Sequence, residues 1–273
     1  MNYKKIVINA ETAHKRFSLD ELWRYRELVF MMMTRDIKVR YKQTVLGVAW
    51  AVIQPLLSML IFTVIFGRLA KIPSDGLPYP VFVFSGLIAW TFFSSAVTAG
   101  GNSMVGASTM ISKVYFPRLV IPIASIGVSV VDFIISFILL LLMMAFYSIA
   151  PSWQIVFLPF FIVGLLFAAL GMSTWLAAIT VVYRDFRFVI PFMVQIWMYI
   201  TPVIYPLSFV PEKWRWLIYF NPIVGWVGGI RSTLLNQPID WFSVMTSLIL
   251  TALIFVLGLR YFKRAERRFA DVI

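Results

Sequence analysis

A chain of 273 residues, 61% of them apolar and 13% charged, departs from the roughly 45–50% and about 25% of a water-soluble domain, so its expected solvent is hydrocarbon. Without cysteine there is no disulfide framework and no cysteine-bearing metal site, and the single histidine, His14, cannot form a metal cluster. The net charge of +12 flanks apolar segments and does not gather on one basic face, which favours membrane topology over nucleic-acid binding.

The first predicted element precedes any span. Residues 1–44 are rich in charge and carry no leader-like pattern, so the first span is expected to direct insertion. Ser18-Leu19-Asp20-Glu21 fits a capping box, in which Ser18 accepts from the Glu21 amide while Glu21 reaches back. Beyond it Leu22, Tyr25, Val29, Met32, Met33 and Ile37 recur at three-to-four spacing, with Arg24, Glu27, Arg35, Lys38 and Lys42 on another side. This predicts an amphipathic helix lying in the headgroup layer against membrane lipid. Amphipathicity alone leaves open whether the helix also docks a partner.

Apolar runs near the roughly twenty residues a bilayer demands place spans at 45–67, 81–107, 121–148, 155–182, 188–206 and 242–260. Strings such as 135–146 do not alternate in polarity, which excludes a membrane β-barrel. The expected fold is therefore an all-α integral membrane bundle of six transmembrane helices in a single domain, residues 1–273. It comprises a tail and interface helix (1–44), the bundle (45–260) and a second tail (261–273). Six crossings put both termini on one side, and that side holds nineteen of the 24 Lys and Arg, which places it in the cytoplasm.

Between spans two and three, Ser112-Lys113-Val114-Tyr115-Phe116-Pro117-Arg118 sets aromatic knobs between two cations, with a proline that limits any helix. The reading is a protruding segment; by itself it is equally an ordinary charged turn. In span two, Ala96, Gly100, Ser103 and Ala107 permit close helix packing. Asp132 is the one clearly intramembrane acid, and an isolated charge there costs on the order of 3 kcal/mol. It needs a partner, and an interhelical hydrogen bond is the favoured reading over a proton site.

After the fifth span, Pro202, Pro206, Pro211, Pro222 and Pro238 interrupt the apolar pieces of 201–240. The pattern predicts a re-entrant pair of short helices, 212–220 and 222–235, turning at Asn221-Pro222. Its aromatics Tyr205, Phe209, Trp214, Trp216, Tyr219, Phe220 and Trp226, with Tyr199 before them, suit a water–lipid boundary. They suit equally a path where ring faces stack on sugar; the sequence does not sort the two groups.

An enzyme needs an acid–base or nucleophilic set, and Asp75, Glu212 and Asp240, the acids outside the membrane on the hairpin side, make none. No catalytic residue and no metal ligand is assigned. A phosphate-cradling G-x-x-x-x-G-K-[ST] loop is also missing, so ATP energy would have to come from a partner.

Three motifs carry a family resemblance: Arg40-Tyr41-Lys42-Gln43-Thr44-Val45-Leu46-Gly47 with Trp50 and Pro55; Lys113-Val114-Tyr115-Phe116-Pro117-Arg118; and Tyr183-Arg184-Asp185-Phe186-Arg187, running on through Pro202-Val203-Ile204-Tyr205-Pro206 to Asn221-Pro222. In order and spacing, and over nearly the whole chain, this resembles permease subunits of type-2 ABC exporters of the polysaccharide and polyol-phosphate family, which serves O-antigen, capsule and teichoic acid. Thr44 stands where family members often have Ser.

The resemblance implies a homodimer in the bacterial inner membrane, with two copies of a cytoplasmic ATP-binding subunit docked beneath it. This chain would bind no cofactor, ATP and Mg belonging to the partner. The cargo implied is a glycan on a polyprenyl pyrophosphate, O-antigen above other glycans. Residues 19–42, with Arg24, Glu27, Arg35, Lys38 and Arg40, resemble the interface helix, and 113–118 the coupling helix. The hairpin resembles external gate helices, and Arg35, Lys38 or Arg40 are candidates to meet the pyrophosphate. Competing readings are a type-2 exporter of drugs or small lipids, and a stand-alone enzyme acting on lipid-linked sugars.

Overall fold

The computed structural model of the protein describes residues 19–42, 47, 49–111, 113–267 and 269, and within them the chain is helical. The capping-box Ser18, the motif residues Gln43, Thr44, Val45 and Leu46, and Ser112 lie outside the described residues. The helices are α1 (Leu19–Arg24), α2 (Arg26–Lys42), α3 (Ala49–Phe62, continuing as a π-helical stretch Thr63–Leu69), α4 (Tyr79–Gly106), α5 (Ser108–Ile111), α6 (Val120–Ser125), α7 (Gly127–Phe146), α8 (Leu158–Val182), α9 (Phe186–Ile200), α10 (Glu212–Tyr219), α11 (Val224–Leu234) and α12 (Trp241–Glu266).

Among the described residues, five helical stretches are long and apolar enough to cross a bilayer: Ala49–Leu69, Tyr79–Gly106, Val120–Phe146, Trp153–Val182 and Trp241–Glu266. The sixth expected span is shorter than its apolar run. At about 1.5 Å per residue, α9 reaches roughly 22 Å against a hydrocarbon core of about 30 Å. It stops at Ile200 because a residue preceding proline is steered out of the α region, and Pro202 follows Thr201, whose backbone is extended. The two short helices expected from 201–240 are present as α10 and α11, with the Asn221-Pro222 step between them.

Local chemistry sets several of the ends. Pro80 and Pro159 lie in the first turns of α4 and α8, where a missing N–H costs nothing. Asp240 caps α12 by accepting from the amides of Phe242 and Ser243 at 3.1 and 3.3 Å. Asp75 and Gly76 take positive φ in the turn that leads into α4.

The hub of the bundle is α4, 78% buried over its apolar window, whereas α3 is only 6% buried and leaves Leu57, Leu60 and Ile61 bare. Since lipid tails are as apolar as leucine, helices in a membrane associate through close packing, not through escape from water. The α8–α12 crossing shows this: a Cβ on Gly258 would stand 2.5 Å from the Gly171 carbonyl oxygen. Gly258→Val is therefore expected to cost about 1–3 kcal/mol by overpacking, seen as a lowered thermal midpoint in detergent. Of the small residues read in span two, Ala96 and Gly100 meet α8, where the Ser173 hydroxyl donates to the Ala96 carbonyl at 3.0 Å. Ser103 and Ala107 instead border a cavity beside α2.

Two buried clusters result. The larger, with Phe82, Phe93, Phe161, Leu165 and Trp226, joins α4, α8 and α11. The smaller gathers Met32, Met104, Phe116, Val181, Phe262 and Phe269 where α2, the 113–118 segment and the end of α12 meet.

Candidate functional site

At the end of the bundle that carries α1 and α2, one side of α2 is packed. Met32 is buried, and α2 lies along α6 and the start of α7. Arg24, Glu27, Arg35, Lys38 and Arg40 are exposed, with Arg35 paired to Asp36 at 2.8 Å. The expected stripe of Leu22, Tyr25, Val29, Met32 and Met33 is the packed side, but it lies on the bundle and it is not the whole apolar surface. Trp23 and Phe30 are each 70% exposed, Met31 is also bare, and the Arg26 guanidinium lies 5.1 Å from the Trp23 ring centroid. One apolar edge of α1–α2 thus packs on the bundle, while a second is left open.

Residues 113–118 are not helical; single-turn α5 and short α6 flank them, and Pro117 supplies no N–H for a continuing helix. The expected pair of aromatic knobs divides. Tyr115 is 89% exposed, and Lys113 and Val114 are exposed beside it, whereas Phe116 is 5% exposed and anchored in the smaller core cluster. Arg118 fixes the far side: its guanidinium donates to the Glu266 carbonyl in a short hydrogen bond, its amide donates to Glu266 Oε1 at 3.3 Å, and it lies over Phe269. The result is a bracket anchored at Phe116 and Arg118, with one exposed aromatic tip.

Beside α2, against α4, α6 and α7, lies a cavity of about 470 Å³, bordered by Arg35, Arg40, Asn102, Ser103, Ser125 and Ser129. Deeper along α7, Asp132 is ion-paired to Arg40 at 2.8 Å and accepts a short hydrogen bond from the Tyr41 hydroxyl. Burial first, and Asp132 second, hold the Tyr41 phenol above its ordinary pKa, so it stays a donor.

The end that carries α10 and α11 is ordered by side-chain donors to carbonyls that would otherwise be orphans. A helix leaves its last four carbonyls without intrahelical partners. For α9, the Tyr205 hydroxyl serves the carbonyls of Tyr199 and Ile200 at 3.2 and 3.3 Å. Downstream, Arg231 of α11 donates to the carbonyls of Pro202 and Val203 at 3.0 and 2.7 Å and to the Ser85 hydroxyl at 3.4 Å, and Tyr79 donates to the Ile204 carbonyl at 2.9 Å. Arg231 is buried, with its guanidinium 4.0 Å from the Phe82 ring centroid. Gly86 leaves room for it: a Cβ there would stand 2.3 Å from Arg231 Nη2 and 2.8 Å from the Val203 oxygen. Sequence reasoning missed Arg231 by treating it as one more loop charge. The signal was a lone cation in an otherwise uncharged run from Pro222 to Ile239.

The boundary aromatics separate into groups. Tyr199, Phe209, Trp214, Trp216 and Phe220 are exposed. Tyr219 is partly buried, donates to Asp240 Oδ2 at 3.2 Å and meets the Phe242 ring at 4.8 Å; burial, then Asp240, raises its pKa. Trp226 is fully buried, its indole donating to Thr251 Oγ1 at 2.9 Å and its ring pressed on Gly164 and Phe160, so its faces are closed to any ligand.

Over 252 residues the chain is 28% identical to the O-antigen export system permease protein RfbA of Klebsiella pneumoniae, covering 90% of this chain and 95% of that one. It is 31% identical over 208 residues to the Myxococcus xanthus protein of the same name (75% of this chain, 78% of that one). To the polysialic acid transport protein KpsM of Escherichia coli it is 24% identical over 207 residues, 71% and 75% of the two chains. Residues 27–235, from α2 to the end of α11, match the family described as ABC-2 type transporter, and the chain belongs to that family of membrane proteins.

Proposed function

We propose that the chain is the permease subunit of an ATP-driven exporter that moves lipid-linked polysaccharide, O-antigen-like, out of the cytoplasm across the bacterial inner membrane. The observation that carries this reading is the near full-length similarity to permeases named for O-antigen export. In this reading α9 and the strap that follows it make a sixth crossing, both termini are cytoplasmic, and α10 and α11 form a re-entrant outer gate. The bare faces of α3 and α9 meet a second copy of the chain across a central conduit, and the exposed aromatics Tyr199, Phe209, Trp214, Trp216 and Phe220 stack on passing sugar. ATP and Mg are bound by a separate subunit.

That subunit docks on the α1–α2 edge and on the 113–118 bracket, whose exposed Tyr115 and Val114 are the kind of projecting contact that concentrates binding energy. Closure of the ATPases then reaches the membrane as a rigid-body displacement. Cells lacking the chain are expected to accumulate glycan inside and to lose it from the surface; normal surface glycan would refute the cargo. Tyr115→Ala is expected to lower export per ATP hydrolysed about tenfold, the loss of one contact worth about 1.4 kcal/mol. Phe116 is unsuitable for this test because it is a core residue, and its loss would damage packing as well as docking.

A further inference from the structure

Helix α2 is fastened to α7 at two levels. Met33 sits so close to Gly127 that a Cβ there would lie 2.1 Å from Met33 Cγ. Further on, Arg40 Nη2 lies 2.8 Å from Asp132 Oδ2 while the Tyr41 hydroxyl takes Asp132 Oδ1, so each carboxylate oxygen has its own donor. The two levels are roughly 10 Å apart along α2 and about 7.5 Å apart along α7. With the packing of α2 along α6, these two attachments at different levels fix its direction on α7.

The first is ordinary packing, and the second is a charge-assisted pair with directional geometry, whose carboxylate side chain is 15% exposed. An exposed pair on flexible side chains adds little, but here the acceptor is held in an otherwise apolar helix. The residue after Asp132 carries the connection inward: the Phe133 ring meets Phe92 of α4 edge-on at 5.4 Å, and α4 is the most buried span.

We propose that Arg40 and Tyr41 on Asp132 form a bolt that stays closed during transport and delivers displacement of α2 to α7, and through Phe133 to α4. Asp132 is then a positioning residue for export. The inference rests on the reading of α1–α2 as a docking surface, and it goes further by naming where motion leaves that surface and enters the spans.

The sequence has no cysteine, so in the purified chain Arg40→Cys with Asp132→Cys can be joined by a short bismaleimide, with no other thiol of this chain labelled, before the ATP-binding subunit is added. In vesicles holding the permease and its ATP-binding subunit, the unlinked double variant is expected to export about tenfold less glycan per ATP hydrolysed. Cross-linking is expected to restore that ratio, and Asp132→Glu, which keeps the carboxylate, is expected to stay near the native value. A purely structural pair would not give a ratio that returns with the link. Should the double variant fail to fold, Arg40→Gln and Tyr41→Phe are expected to lower the same ratio. An undiminished ratio without the link, or a linked protein as inactive as the unlinked one, overturns the bolt alone. A native chain that moves no glycan in the same vesicles overturns the exporter reading, and the bolt with it.

Discussion

Arg231→Ala is expected to destabilise the protein by about 3 kcal/mol, read as a lower thermal midpoint and a smaller monodisperse fraction in detergent. The guanidinium serves the carbonyls of Pro202 and Val203 in a stretch where the backbone has left the helix and has no ladder of its own. Each buried acceptor left without a donor costs about 1–3 kcal/mol. Truncation also removes the cation from the Phe82 ring, 4.0 Å away. Arg231→Lys keeps the charge but loses the planar fork that reaches two carbonyls together, so it is expected to fall between alanine and the native residue. A lysine variant as stable as the native protein would show that charge alone suffices.

Much of the fold was legible because lipid imposes simple demands. Long apolar runs such as those ending at Gly106 and Val182 leave no alternative to helices, and the prolines at 202, 206, 211 and 222 mark where backbone must turn. Asp132 was legible as a residue in need of a partner. That its partners are Arg40 and Tyr41 was not, because Tyr41 and Asp132 are 91 positions apart, with α3, α4, α5 and α6 between them, and meet only through packing.

On α1–α2 periodicity found the packed side but not the whole apolar surface. A stripe at Leu22, Tyr25, Val29 and Met32 was visible, but counting one stripe hid the second apolar edge formed by Trp23, Phe30 and Met31. In the 113–118 segment the residue types were legible as aromatic, proline and cation. The division between exposed Tyr115 and buried Phe116 depends on Phe262 and Phe269, which come from the far end of the chain. Composition identifies a run of aromatics, and only tertiary packing says which rings are structural. Tyr205 is an instance: it looked like a boundary ring and instead supplies a hydroxyl to the end of α9.

Trp226 of α11 and the tryptophans of α10 separate packing from transport most sharply. Trp226 has no exposed surface, fills the space above Gly164 and donates to Thr251, so Trp226→Ala leaves a cavity and an unpaired hydroxyl. The expected loss is about 3–5 kcal/mol, a large fraction of the roughly 5–15 kcal/mol of a typical domain. Trp214 and Trp216 are about half exposed, at 51% and 55%. Replacing either by alanine is expected to change stability by no more than about 0.5 kcal/mol while reducing glycan export severalfold. The check is to measure thermal midpoint and export for all three variants side by side. If Trp214→Ala and Trp216→Ala exported normally, the exposed rings would be a lipid-boundary belt, and the conduit would have to be sought on another face of the bundle.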